Sequence, residues 1–255
     1  MAFQIAYHTD AGIRKKTNQD GLLIKTAKTP EGMVGLFVVC DGMGGLSHGE
    51  LASATVIRGL SDWFDRDLPE ILQSESLDRT IEVGLEAHIH SLNEKILQYG
   101  ETARIKLGTT VTALLIFCSR YYIVQIGDSR AYSINRTILK LTKDQTLVAR
   151  ELEYGNLTEA QARIDPRRNI LLQCVGATKD LNVIISRGDI EPGTLFMLCT
   201  DGFYHEITEA ELLTAMNPES FHNEQQMKET LIELVELIKE RKETDNISVI
   251  TVKER

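Results

Sequence analysis

Five aspartates, Asp20, Asp41, Asp128, Asp201 and Asp245, each stand beside a short apolar run of this 255-residue chain. In Val38-Val39-Cys40-Asp41-Gly42-Met43-Gly44-Gly45 the run delivers Asp41 to a strand end. The glycines that follow let the backbone turn tightly and approach a ligand. Met197-Leu198-Cys199-Thr200-Asp201-Gly202 repeats the arrangement, and Ile126-Gly127-Asp128-Ser129-Arg130 and Thr244-Asp245-Asn246-Ile247 flank two further runs. Asn18-Gln19-Asp20 precedes Gly21-Leu22-Leu23-Ile24. One such aspartate is an ordinary turn residue that bonds to its own backbone. Five beside the main apolar runs predict carboxylates gathered at one end of neighbouring strands. Like charges gathered in this way require cations. An all-oxygen donor set selects hard ions such as magnesium or manganese. Two such ions can clamp a phosphoryl group and generate hydroxide at neutral pH.

Other chemistries find no support. The six histidines form no H-x-x-x-H pair, and His88 and His90 point apart on their helix. All six read as surface or packing residues, with a proton-transfer role left open for His48 and His205, near Asp41 and Asp201 in sequence. The cysteines Cys40, Cys118, Cys174 and Cys199 show no C-x-x-C spacing, which disfavours a zinc or redox site. Cys40, Cys118 and Cys199 end apolar runs and are expected to be buried. No G-x-S-x-G, Walker or G-x-G-x-x-G pattern is present.

The elements that must position the aspartates are mostly short strands. Val34–Cys40, Val111–Cys118, Tyr122–Ile126, Thr194–Cys199 and Ile247–Val252 are rich in Val, Ile, Leu and Phe. Three helices are predicted from apolar stripes. Ser47 opens the first, with Glu50 in capping-box position, and Val56, Ile57, Leu60, Trp63 and Phe64 form its stripe. Ile81, Leu85, Ile89, Leu92 and Ile96 mark the second, and Met227, Leu231, Leu234, Val235 and Ile238 the third. Consecutive helices and strands at hairpin distance predict antiparallel sheets covered by helices rather than βαβ units. Lys143 to Gly176 is polar and reads as a small helical flap.

Composition agrees with a soluble globular chain: 42% hydrophobic, 25% charged. A net charge of -9 argues against a nucleic-acid partner and leaves room for a cation-attracting cleft. No apolar run is long enough to insert in a membrane, and Met1-Ala2-Phe3-Gln4-Ile5 does not open a signal peptide. A cytoplasmic location is expected.

Six segments together resemble the metal-dependent serine/threonine protein phosphatases of type 2C, the PPM family, in compact bacterial form. They are Thr9-Asp10-Ala11-Gly12 through Asn18-Gln19-Asp20, Asp41-Gly42-Met43-Gly44-Gly45, Gly108-Thr109-Thr110-Val111-Thr112-Ala113, Ile126 to Tyr132, Cys199-Thr200-Asp201-Gly202 and Asp245-Asn246-Ile247-Ser248. The resemblance implies an α+β, four-layer α-β-β-α sandwich of two antiparallel sheets, forming one catalytic domain over 1–255 with a flap at about 143–176. It implies two manganese or magnesium ions per site and a possible third. Asp41 would bridge the two ions, with the Gly42 carbonyl on one and Asp201 and Asp245 on the other. Asp128 would join Asp201 on the third, and Asp20 would hold a water or a metal. The implied reaction is hydrolysis of phosphoserine and phosphothreonine in proteins by direct attack of a metal-bridging hydroxide. The implied partners of this monomer are phosphorylated proteins, including a serine/threonine kinase and its substrates.

Two departures stand out. Where the family has a phosphate-binding arginine, this chain has Lys15 with Arg14 before it. Lysine supplies charge without the bidentate fork. Met43 stands where some members have a histidine acting as general acid, and methionine donates no proton. Two other readings compete: an aspartyl-phosphate route with Asp41 as nucleophile, disfavoured because Met43 occupies the place of the second aspartate, and a phosphoprotein-binding pseudo-phosphatase, disfavoured because the aspartates are retained.

Overall fold

The computed structural model describes residues 2–43 and 48–254. Two five-stranded antiparallel sheets stack face to face. The first contains β1 (Phe3–Asp10), β6 (Arg130–Ile134), β7 (Ile138–Lys140), β9 (Leu195–Cys199) and β10 (Ile247–Glu254), in the order β1-β10-β9-β6-β7. The second contains β2 (Gly21–Thr29), β3 (Gly32–Cys40), β4 (Val111–Phe117), β5 (Arg120–Ile126) and β8 (Ile184–Asp189), in the order β2-β3-β4-β5-β8.

Period-two alternation builds the layers. On β3, Phe37 and Val39 face the space between the sheets, where they meet Leu114, Ile123, Phe196 and Ile250. The alternate residues Leu36, Val38 and Cys40 face outward, beneath α1 (Gly49–Arg66), α2 (Leu68–Ile71) and α3 (Leu77–Ala103). The predicted stripes of the first two helices supply that layer, with Trp63, Leu85 and Ile89 fully buried. After α4 (Leu147–Glu153) and α5 (Glu159–Ile164) come α6 (Asp201–Tyr204), α7 (Glu209–Ala215) and α8 (Glu224–Glu240). These last three cover the outer face of the first sheet, where Leu231, Val235 and Ile238 meet Ile247 and Val249. The four-layer α-β-β-α expectation is borne out. Ser47, expected to open the first helix, lies outside the described residues, and His48 takes the position before α1.

Two expectations need correction. The apolar run through Cys118 ends as a strand at Phe117, and Cys118 is exposed. Phe117 pairs with Arg120, leaving Cys118 and Ser119 as a two-residue hairpin loop with φ of 50° and 57°. Both central residues of such a tight turn take positive φ, and the side chain is thrown off the pleat into solvent. The runs also do not single out β1 or β8, whose half-exposed faces carry polar residues.

Candidate metal centre

Strand register alone brings the aspartates together. Gly21 pairs with Cys40, so Asp20 and Asp41 emerge side by side. Arg130 and Val249 both pair with Cys199, so Asp128 and Asp201 share one end of β9 with the turn before β10 that carries Asp245. Asp41, Asp128, Asp201 and Asp245 line one cleft, together with Lys15 and Met43. Asp20 lies behind them, close enough for its charge to act on Asp41.

Hydroxyls and amides pin the carboxylates from behind. Thr110 Oγ1 accepts from the Asp41 amide at 2.9 Å, and Thr109 Oγ1 donates to the Asp41 carbonyl at 2.9 Å. Thr200 Oγ1 donates to Asp20 Oδ2 at 3.0 Å and accepts from the Ser248 amide at 3.0 Å. Buried Asn246 fastens the loop that carries Lys15: its Oδ1 accepts from the Gln19 amide at 2.9 Å, and its Nδ2 donates to the Ala11 and Thr17 carbonyls at 3.0 and 3.2 Å. A Cβ on Gly12, whose φ is 73°, would lie 2.1 Å from the Asp245 carbonyl, so only glycine lets that loop close.

Gly42 is equally confined. A Cβ there would lie 2.4 Å from the Gln19 carbonyl and 2.6 Å from that of Gly49. Gly42→Ala is therefore expected to destabilise the fold by about 1–3 kcal/mol, through overpacking against backbone. Calorimetric melting of the metal-free variant checks this.

The electrostatics are those of a cation site. Desolvation first, then neighbouring carboxylates, push Asp20 up to about 7 and Asp128 up to about 8. The same causes hold Asp41 well above the ordinary carboxylate range and raise Asp201. Asp20 Oδ1 and Asp201 Oδ1 are buried without a hydrogen-bond partner. An orphaned buried carboxylate oxygen is costly unless something electropositive meets it. The residues therefore fit hard divalent cations, with oxygen donors only.

Among the described residues, however, no three Asp, Glu, His or Cys side chains already close round one point as an ion's cage. Lys15 explains part of this: its ammonium lies 2.9 Å from Asp245 Oδ1. Burial alone would lower its pKa, but Asp245, Asp41 and Asp201 outweigh that and raise it. Lys15 thus acts as the resident counter-cation. Arg14 is exposed and does not line the cleft, so of the two basic candidates the structure brings Lys15 alone to the aspartates.

Supporting residues surround the centre; the sequence reading left a proton-transfer role open for His205 and did not pick out Glu243, Asp144 or Tyr204. Nearly buried His205 has Nε2 3.9 Å from Asp201 Oδ2 and Nδ1 3.6 Å from Glu243 Oε2. Burial opposes its protonation, but Glu243 and Asp201 outweigh that and raise its pKa. Glu243 accepts from the Thr244 and Asp245 amides at 2.6 and 2.9 Å. Burial would raise its pKa, but His205 and those amides bring it down to about 2. On the other side Arg130 pairs with Asp144 at 2.6 Å and lies 3.5 Å from the Tyr204 ring centre. Tyr204 donates to the Asp128 carbonyl at 3.1 Å. His205 stands four residues after Asp201, one helical turn away, which is a usable sequence signal. Glu243 and Asp144 offer none.

A profile of the protein phosphatase 2C family matches residues 9–249. The chain belongs to the protein phosphatase 2C family. Among curated members, the Listeria innocua serine/threonine phosphatase stp is 31% identical over 211 residues, covering 81% of this chain and 80% of that one. The solved S. agalactiae serine/threonine phosphatase superposes on this family member with TM-score 0.84 at 28% identity, covering 100% of both chains. The catalytic domain of the phosphatase PstP, solved with two manganese ions, has the same fold at TM-score 0.79, with 24% identity and 98% and 97% coverage. Both sheets of the phosphatase 2C fold thus contribute to one carboxylate-lined cleft.

Proposed function

We propose that this chain is a metal-dependent protein phosphatase that hydrolyses phosphoserine and phosphothreonine in proteins. The observation that carries the reading is the convergence of five aspartates, two with orphaned buried oxygens, at one end of a phosphatase 2C sandwich. Chain 1–255 is read as one catalytic domain, with 143–176 as its flap. The PstP catalytic domain with two manganese ions supports two manganese or magnesium ions here. Asp41, the Gly42 carbonyl, Asp201 and Asp245 would hold them, and Asp128 with Asp201 would hold a third. Such ions supply Lewis acidity toward phosphoryl oxygens and make water acidic enough to serve as nucleophile near neutral pH.

The chain's own groups do the rest. Thr200 occupies one oxygen of Asp20 and leaves Oδ1 as an acceptor that orients water. Lys15, now on Asp245, would be free to meet a phosphate oxygen if Asp245 held an ion instead. Asp41 is in no position to act as a free nucleophile if its carboxylate is shared between ions. Met43 packs its methyl end against Gly108 and contributes no proton.

The partners proposed are phosphorylated proteins, a serine/threonine kinase and its substrates among them. A monomer in the cytoplasm is the setting proposed. Among the described residues no helix is long and apolar enough to cross a membrane. The deciding experiment is turnover of an aryl phosphate and of phosphoserine and phosphothreonine peptides with manganese, with and without chelator. Manganese binding without turnover of any of them would make the chain a phosphoprotein-binding pseudo-phosphatase.

The double role of Lys15 has its own test. Lys15→Met is expected to raise KM for an aryl phosphate about fivefold, the value of one half-exposed ion pair. It is also expected to tighten manganese binding, because no ammonium then competes for Asp245. Calorimetric titration reads the second effect without turnover.

A further inference from the structure

The cleft extends well beyond its carboxylate end. It is one continuous cavity of about 930 Å³ that runs to the C-terminal end of α3. That volume lies at the upper end for ligand pockets, more than one phosphorylated side chain needs. The walls of this arm are largely apolar, formed by Leu97, Ile105, Leu107, Leu171, Cys174 and Ala177.

Its charges run against those of the chain. Arg104 and Lys106 line the arm, both exposed, in a protein of net charge -9. Among the described residues neither forms an ion pair. Glu101, the carboxylate of this arm, faces Lys179 at 4.0 Å. Arg104 also occupies a left-handed backbone position, φ 55° and ψ 41°, at the end of α3. Glycine usually fills that position, and a side chain there costs about 1–2 kcal/mol. A cation therefore sits where the backbone disfavours any side chain.

We propose that this arm receives the peptide flanking the phosphoresidue and selects segments with an anionic side chain at the Arg104–Lys106 end and apolar residues between. The anion is a carboxylate or a second phosphate. This substrate class rests on the phosphatase reading above.

The test uses the manganese-loaded full chain and phosphothreonine peptides in which one Glu, one Lys or one further phosphoserine is moved stepwise along each flank. On one flank, at one spacing, Glu and phosphoserine are expected to exceed Lys in kcat/KM by about fivefold at low salt, from two exposed ion pairs. The preference fades as salt shortens the Debye length. R104E/K106E is expected to invert the acidic-to-basic ratio, a within-variant comparison that cancels any general loss of activity. Equal kcat/KM for Glu and Lys at every position, or a ratio that R104E/K106E leaves unchanged, overturns the proposal. Anisotropy of the same labelled peptides reads the arm independently of turnover. A Glu preference in binding with no hydrolysis sustains the arm and overturns the phosphatase reading; equal binding of the Glu and Lys peptides at every position overturns the arm.

Discussion

Asp201→Asn abolishes manganese-dependent hydrolysis of aryl phosphates and phosphopeptides while making the metal-free protein more stable. Asp201 is buried, one of its oxygens has no partner, and its neighbours within the cleft are carboxylates. In the proposed reading it holds an ion on which the reaction depends. Several kcal/mol of charge stabilisation are then lost, on the order of 10³-fold in kcat. The stability effect has the opposite sign. Neutralising a buried charge that is set among carboxylates and met only loosely by His205 at 3.9 Å removes a desolvation penalty of about 1–3 kcal/mol. A residue kept for the fold would lower activity and stability together. Full activity in Asp201→Asn, or a fall in the metal-free melting temperature matching the loss of activity, would contradict the assignment.

The same opposition of signs shows why part of the site was legible in sequence. A carboxylate at the end of a Val- and Leu-rich strand, beside others like it, makes no sense for packing. Asp41 and Asp201 were therefore readable from their neighbours in the chain. Strand periodicity was readable for the same reason: Phe37 and Val38 face different layers because side chains alternate. What was not legible depends on distant residues. The choice of Lys15 over Arg14 is made by Asn246, which holds the Lys15 loop at its Ala11 and Thr17 carbonyls from the far end of the chain. Glu243 looks like a surface residue until His205 packs beside it. Cys118 looked like the end of a strand because its hairpin lacks the usual Asn-Gly signal.

Without metal, stability is expected to peak near pH 4 and to fall toward pH 8, and manganese is expected to reverse that fall. Asp20 and Asp128 have folded pKa values raised to about 7 and about 8 from an ordinary 3.8. Between those values the folded state binds more protons than the unfolded state, so stability declines as pH rises from about 4 to about 8. His205 acts in the same direction. Its raised pKa stabilises the fold below the unfolded value of 6.5, and that contribution is lost as pH rises through the folded pKa. Glu243 acts oppositely. Its pKa, lowered to about 2 from 4.5, stabilises the fold above the unfolded value and is lost as the solution becomes more acidic. The two trends leave an optimum between them. A loss of a few kcal/mol, or on the order of 10 °C in melting temperature, is expected between pH 5 and pH 8. Manganese replaces those protons as the counter-charge. At a hundredfold excess over Kd it adds about 2.7 kcal/mol. Because protons compete for the same oxygens, the gain is larger at pH 8 than at pH 5. Melting curves with chelator and with manganese across this range decide the matter. A manganese increment that is flat with pH, or a metal-free melting temperature that rises steadily to pH 8, would mean that these carboxylates are not a proton-loaded cation site.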